Sequence, residues 1–452
     1  MEASALVSLL PELEDFLARF DGCMVRTEQR SSLRIYVRGQ LSDLPRKSIE
    51  PMALACGLPP RNLQQFLSLH TWNEVLVRDK VQQIIAREHS DPDSVEILDE
   101  TYHAKKGDKT PGVKRQWCGT KGTTDNCTVT VHLAYVAGGA GGFRTLLDSE
   151  LFLPEEDWSK DRERCRAAGI PDEVVHRTKW TIALEMIDRS RANGVRPGWL
   201  TFDAGYGMVT DFMLGLNERA VQFVGEVPGH LTGWTKPPPL LHKELFTHKH
   251  FGHPRKFPRP KKLPGNMHRP KRVDSLASRS PAFTKQSWQR FHVKNDQGGA
   301  VVWEAKEAEF HLRKGDQYIA VPSIAHRLIT ARNVLTKETK WFVSNAPPTV
   351  PLATLLRVAF TRWAVERCFQ DAKGELGMGH FEVRNYKSLM RHMILTAVSF
   401  LFLARALLKR REKKSTSDDL STAAGHERAD SGTVGVLIGA TRSHHCSHAC
   451  PA

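Results

Sequence analysis

The sequence predicts a mixed α/β fold, in which helices flank a mixed sheet, a helical region leads in, and a β-rich stretch interrupts the second half. Three observations predict it. Apolar periodicity is helical up to about residue 90 and then changes to short alternating runs. Two of these runs end in acid and are followed by turn residues, at Asp99 and at Asp203-Ala-Gly-Tyr-Gly. Finally, a basic, proline-rich stretch and several strand-like runs separate that region from a C-terminal block with helical patterning.

The leading region, 1–92, repeats Leu6, Leu9, Leu10, Leu13, Phe16 and Leu17 at helical spacing. Residues 47–69 read as helix, tight turn at Gly57-Leu58-Pro59-Pro60, and second helix. That is the layout of a helix-turn-helix, so DNA contact is expected here. The next region, 93–227, opens on Ser94–Asp99 as a short strand. Cys127–Val136 alternates, the Gly138–Gly142 cluster turns the chain, and Phe143–Leu153 supplies a third strand, together an antiparallel meander. Thr178–Asn193 is a helix stopped by Gly194 and Pro197. Trp199–Phe202 is a strand, Val209–Arg219 a helix, and Val221–Val227 a strand.

The interruption occupies 228–350. Lys249–Val273 holds nine Lys/Arg, five prolines and no acid, a composition that prevents regular structure and suits phosphate contact. Its second half carries the strand-like runs AVVWEA, YIAVPS and KWFVSN. Trp288, Trp303 and Trp341 belong either to a core or to a base-stacking platform. Helices are expected over 351–408. The most apolar run, Met393–Ala404, is too short for a bilayer span of about 20 residues and reads as a buried helix. Residues 409–452 lose the pattern and read as disordered. Their His/Cys ending lacks a second ligand pair at finger spacing, so no metal finger is expected.

The element order, three strands, helix, strand, helix, strand, long interruption and helix, matches the ribonuclease H-like fold. In that arrangement Asp99 and Asp203 end neighbouring strands, and Glu366 lies on a helix packed against the sheet. On the 359–373 helix, Arg362, Glu366, Phe369, Gln370 and Lys373 share one stripe. Alone, that stripe is equally an exposed i,i+4 charge ladder. With two other acids converging on Glu366, it becomes a metal site, because clustered carboxylates repel unless a cation neutralises them. All-oxygen ligands suit Mg²⁺ or Mn²⁺, and two ions about 4 Å apart would serve phosphodiester chemistry.

Composition agrees with such a partner. The 452 residues carry 65 Lys+Arg against 50 Asp+Glu, a net charge of +15. This favours a polyanion, nucleic acid first, and not a membrane. Eight scattered cysteines without a CxxC pair, and a start without a cationic leader, point to a reducing cytoplasm.

Three segments also carry a resemblance. Residues 98–127 (LDETYHAKKGDKTPGVKRQWCGTKGTTDNC), 200–207 (LTFDAGYG) and 362–393 resemble the DDE transposases of insertion sequences, most closely the IS701 family, related to the IS4 group. The resemblance extends over roughly residues 15–408. It implies Asp99, Asp203 and Glu366 as the catalytic, metal-holding triad. It also implies Arg362 and Lys373 as phosphate contacts, within a Y-x2-R-x3-E-x6-K signature whose tyrosine position is Ala359 here. Lys105, Lys106 and Arg115 are implied as further DNA contacts near the first Asp. The spacing 366 − 203 = 163 leaves room for the β-rich insertion known in the related group. The implied function is metal-dependent cleavage at the element's terminal inverted repeats and strand transfer into target DNA, by a homodimer assembled on DNA. Two alternatives stay open on sequence alone. One is an inactive DNA-binding relic, suggested by the tail where ordered helix is expected. The other is a ribonuclease H-like endonuclease that cuts without joining.

Overall fold

The computed structural model describes residues 9–138, 142–239, 260, 269–294, 300–314, 317–318 and 325–421. The chain divides into two compact units. The first is built from Met1–Ser90, Asp99–Arg196 and Val365–Ala452; the second from Asp91–Leu98 and Pro197–Ala364. Most of the basic 249–273 run, most of YIAVPS and the His/Cys ending lie outside the described residues.

The first unit opens with helices Leu9–Ala18, Thr27–Leu41, Ile49–Ala55, Pro60–Ser68 and Glu74–Glu88. The turn between the third and fourth has Gly57 at φ 68°, a left-handed conformation that glycine adopts without a Cβ clash. Two helices joined by a turn are thus present at 49–68. Four strands follow: β1 (Val95–Ala104), β2 (Lys114–Cys118), β3 (Thr123–Ala137) and β4 (Phe143–Leu151). β2, β3 and β4 form an antiparallel meander. The expected three-strand count missed β2, whose KRQWC sequence is too polar to show apolar alternation. Helix Lys179–Ala192 begins where expected, because the Thr178 hydroxyl accepts from the Thr181 amide at 3.3 Å.

The core of this unit is organised around one long helix, Tyr386–Ser421. It packs on β4 and on the helices of the leading region. By length and composition its Tyr386–Arg411 part would be long enough to cross a bilayer, but 78% of its apolar window is buried. The twelve-residue apolar run read from the sequence is the middle of this element, and the helix continues through Lys409–Ser421, where pattern was expected to end. Arg391, in its second turn, is fully buried yet satisfied. Its guanidinium donates to the carbonyls of Phe66 (3.1 Å), Leu67 (3.0 Å) and Trp72 and pairs with Glu74 (3.2 Å). His392 beside it accepts from or donates to the Tyr36 hydroxyl at 2.7 Å.

The second unit is a sheet that changes direction. The first half of β1 lies parallel to β5 (Trp199–Phe202), which lies parallel to β6 (Phe223–Val227). Three strands follow in order, β7 (Thr232–Trp234), β8 (Lys271–Arg272) and β9 (Gln289–Lys294). After them come β10 (Ala300–Lys314), β11 (Gln317–Tyr318), β12 (His326–Asn333) and β13 (Thr339–Ser344). β13 pairs antiparallel with β6, β12 with β13 and β10 with β12. β7, β9 and β11 all pair with β10. The β-rich interruption therefore continues the same sheet and is not a module apart. Trp303 is fully buried against Phe360 at 4.7 Å, so it belongs to this core. Trp288 lies beneath the cations Lys306 (4.7 Å) and Arg332 (4.5 Å).

Candidate catalytic carboxylates and basic surface

The parallel register aligns the residues that precede two of the expected acids. Leu98 of β1 pairs with Phe202 of β5. Asp99 and Asp203 are the residues that follow this pair in sequence, at the carboxyl end of the parallel pairing. This is the edge where α/β sheets place ligands. Asp99, expected from the sequence at the end of its strand, does not end it. It marks the position at which the parallel pairing with β5 stops while β1 runs on to Ala104. Both side chains are half-buried.

Asp203 has a second task. It caps the short helix Ala204–Gly207, and its Oδ1 accepts from the amides of Gly205 (3.0 Å) and Tyr206 (3.2 Å). The turn is tight because a Cβ at Gly207 would stand 1.8 Å from the Glu226 carbonyl oxygen. The Ala-Gly-Tyr-Gly sequence thus lets the strand end turn close against β6. Asp99 Oδ1 accepts from the Glu100 amide at 2.7 Å.

Glu366 is exposed in the first turn of helix Trp363–Gly374, where the helix N-terminus favours a carboxylate. The helix read over 359–373 is interrupted. Leu352–Thr361 and Trp363–Gly374 meet at Arg362, which keeps helical angles (φ −52°, ψ −36°). The one-face spacing from Arg362 to Glu366 therefore survives the break.

Lys373 donates to the Tyr102 carbonyl (3.2 Å) and the Thr120 hydroxyl (2.9 Å), tying its helix to β1 and to the β2–β3 turn. Burial lowers its pKa. Lys105 turns inward. Its ammonium donates to the carbonyls of Gly379 (3.0 Å) and Phe381 (2.6 Å) and lies 3.3 Å from the Phe381 ring centre. Burial above all pushes its pKa down to about 7. Lys106 and Arg115 are exposed.

The sequence reading missed several buried polar groups. Asp371 is buried between Arg367 (2.9 Å) and Arg144 (3.4 Å); burial raises its pKa and the two guanidiniums oppose that. An i,i+4 Arg–Asp pair was legible in the sequence, but the cross-partner Arg144 was not. His103, Thr130, His132 and Ser149 form a buried hydrogen-bonded chain with links of 2.9, 2.6 and 2.7 Å. Burial, and then the Lys373 charge, pushes His132 down to about 3. Burial also holds His103 well below the usual imidazole range. Both histidine rings are therefore neutral structural members at neutral pH. The six cysteines among the described residues are free thiols.

The expected donor set, three carboxylates, suits a hard divalent cation in its chemistry. Among the described residues, no group of three or more His, Cys, Asp or Glu side chains stands close enough together to hold a metal ion.

A protein "Probable transposase for insertion sequence element IS701" from Microchaete diplosiphon is 32% identical over 170 residues. That segment is 37% of this chain and 41% of the relative's length. A family model described as DDE superfamily endonuclease matches residues 19–294, more than half of the chain, including Asp99 and Asp203 but ending before Glu366. With this match the likeness first read from three short segments acquires its frame: the chain belongs to the DDE superfamily of endonucleases.

Proposed function

We propose that the protein is a transposase with a ribonuclease H-like catalytic fold, acting in the cytoplasm on the ends of an insertion sequence. It cleaves the phosphodiester at a terminal inverted repeat and transfers the freed 3′-hydroxyl into target DNA. The observation that supports this reading most is the parallel register in which Leu98 pairs with Phe202, the residues that precede Asp99 and Asp203.

Asp99, Asp203 and Glu366 would hold Mg²⁺ or Mn²⁺, two ions in all. The bound ions would supply the charge that activates an attacking oxygen and stabilises the departing one. The reading requires Glu366, exposed on its helix, to join the strand-end pair when DNA is bound. Asp203 holds its carboxylate in place through the two amides on Oδ1, so its direction does not depend on a ligand. Arg362 fixes the phosphate path one helical turn before Glu366. Lys373 supports that path from behind, through Tyr102 and Thr120. The helix pair Ile49–Ala55 and Pro60–Ser68 contributes DNA contact, and pairing two ends takes two protomers.

The test is a cleavage and joining assay on DNA carrying the flanking inverted repeats, with Mg²⁺. Asp203→Asn keeps an acceptor oxygen for the helix cap but removes the charge. Cleavage should vanish while DNA binding persists. Unchanged cleavage by that variant refutes the mechanism. Nicked product without joined product reduces the protein to an endonuclease.

A further inference from the structure

The first unit contains an open cleft of about 950 Å³. One wall is the loop after β1, Lys105-Lys106-Gly107-Asp108-Lys109; the other combines Arg46 with the segment Gly379–Arg384. Arg46, Lys106, Lys109 and Arg384 line it with exposed side chains, and Asp108 and Glu382 are its acids. Glu382 pairs with Arg46 across an exposed contact. An exposed pair of this kind contributes little and exchanges readily for another anion.

The loop is held before any ligand arrives. The Lys105 amide donates to the Asn126 carbonyl at 2.9 Å. The Asn126 side chain donates to the carbonyls of Lys105 (3.0 Å) and Gly107 (2.6 Å). Arg164 donates to the Asp108 carbonyl at 2.8 Å. Gly107, at φ 76°, permits the turn. Lys105 crosses beneath and fastens the loop to the opposite wall through Gly379 and Phe381. A preformed, basic and open trough suits a chain of phosphates better than a small enclosed ligand, because ordering costs are already met and several cations act along its length.

We propose that this cleft seats the sugar-phosphate backbone of duplex DNA, with Lys106, Lys109, Arg46 and Arg384 on phosphates and Lys105 as the internal tie between the walls. The proposal rests on the reading that the protein acts on DNA, and it adds a seat for the duplex whose lining includes none of the three carboxylates. The contacts are to phosphate, so they hold for any sequence.

The experiment measures binding of the full chain to a duplex of arbitrary sequence as a function of salt, beside the cleavage assay on element-end DNA. Lys106→Gln with Lys109→Gln should weaken binding at least about tenfold and lower the salt slope by about two, near 0.9 for each phosphate left without its lysine. Lys105→Met should leave the slope as in the unaltered chain but lower the thermal midpoint. A second measurement uses the unaltered protein: bound duplex should protect Lys106 and Lys109 from amine acetylation. An unchanged slope in the double variant, or no protection of either lysine, overturns the proposal. If element-end cleavage persists in that case, the transposase reading stands without it. If the unaltered chain neither binds duplex nor cuts, both fall together.

Discussion

The two units treat their cations differently. In the second, they meet carboxylates across strands. Arg332 faces Glu304 in register, Arg327 forks onto Glu307, and Lys340 reaches Glu226 at 2.9 Å. In the first, the distinctive cations go inward to main-chain carbonyls: Arg391 to three of them, Lys105 to two and Lys47 to that of Glu375. A cross-strand pair is a local addition to a sheet already held by its ladder. A buried cation on carbonyls joins segments distant in sequence, and its loss leaves several acceptors dry and unpaired. The ties through Arg391, Lys105 and Lys47 in the first unit are thus expensive to break, as is Arg327 in the second, which also donates to the carbonyls of Pro347 (3.0 Å) and Val350 (2.7 Å), whereas an exposed pair such as Lys314–Asp211 is dispensable. The same difference explains why a lysine near the first Asp need not be a DNA contact.

The largest expected effect concerns neither scaffold. Asp203→Asn should reduce element-end cleavage at least about a thousandfold, roughly 4 kcal/mol of barrier, with the thermal midpoint little changed because the cap survives. Loss of folding together with activity would show that the carboxylate's first role is structural. Next, Arg391→Ala should destabilise the first unit by about 3–5 kcal/mol in denaturant unfolding. Lys314→Ala, which breaks an exposed pair with Asp211 in the second unit, should cost under about 1 kcal/mol. Equal costs would erase the contrast.

Acid supplies an intermediate test. His132 and His392 have pKa values pushed by burial to about 3 and about 4, from an ordinary 6.5. The unfolded chain therefore binds more protons between those values. Their contribution to stability is complete above pH 6.5 and is lost as pH falls through the folded values, on the order of 3 kcal/mol for His392 alone. The thermal midpoint should drop between pH 7 and pH 4.5, and less in His392→Phe. Lys47 and Lys105, at about 8 and about 7, act in another window. Their burial costs most below pH 7, and that cost is relieved as pH rises toward 10.5.

Local signals carried much of this into the sequence. Trp199–Phe202 alternates too little to prove a strand, yet its acid-then-glycine ending marked it correctly. Thr178 and Gly194 framed their helix, and Gly57 its turn. The rest depended on partners far along the chain. Nothing local tells that β13 would pair with β6 and so merge the interruption into the main sheet. Lys105 and Lys106 are neighbours of identical chemistry, and only the carbonyls of Gly379 and Phe381, some 275 residues away, send one inward. Asp203 was picked out because the end of its strand is readable locally, whereas Asp99 lies within a longer strand. The positions of Arg46 and Arg384 on one cleft were not readable that way, because each sits in an ordinary polar stretch.

The long Tyr386–Ser421 helix has a consequence for birth on the ribosome. Four of the five opening helices emerge early but pack on an element translated some 300 residues later, so that packing must wait for it. The second unit needs nothing beyond Ala364 and has its whole sequence available sooner. A nascent chain halted before Tyr386 therefore carries Asp99, Asp203 and Glu366 but lacks the long helix on which its first unit is packed. Completion of the first unit's core becomes a property of a chain translated through that helix.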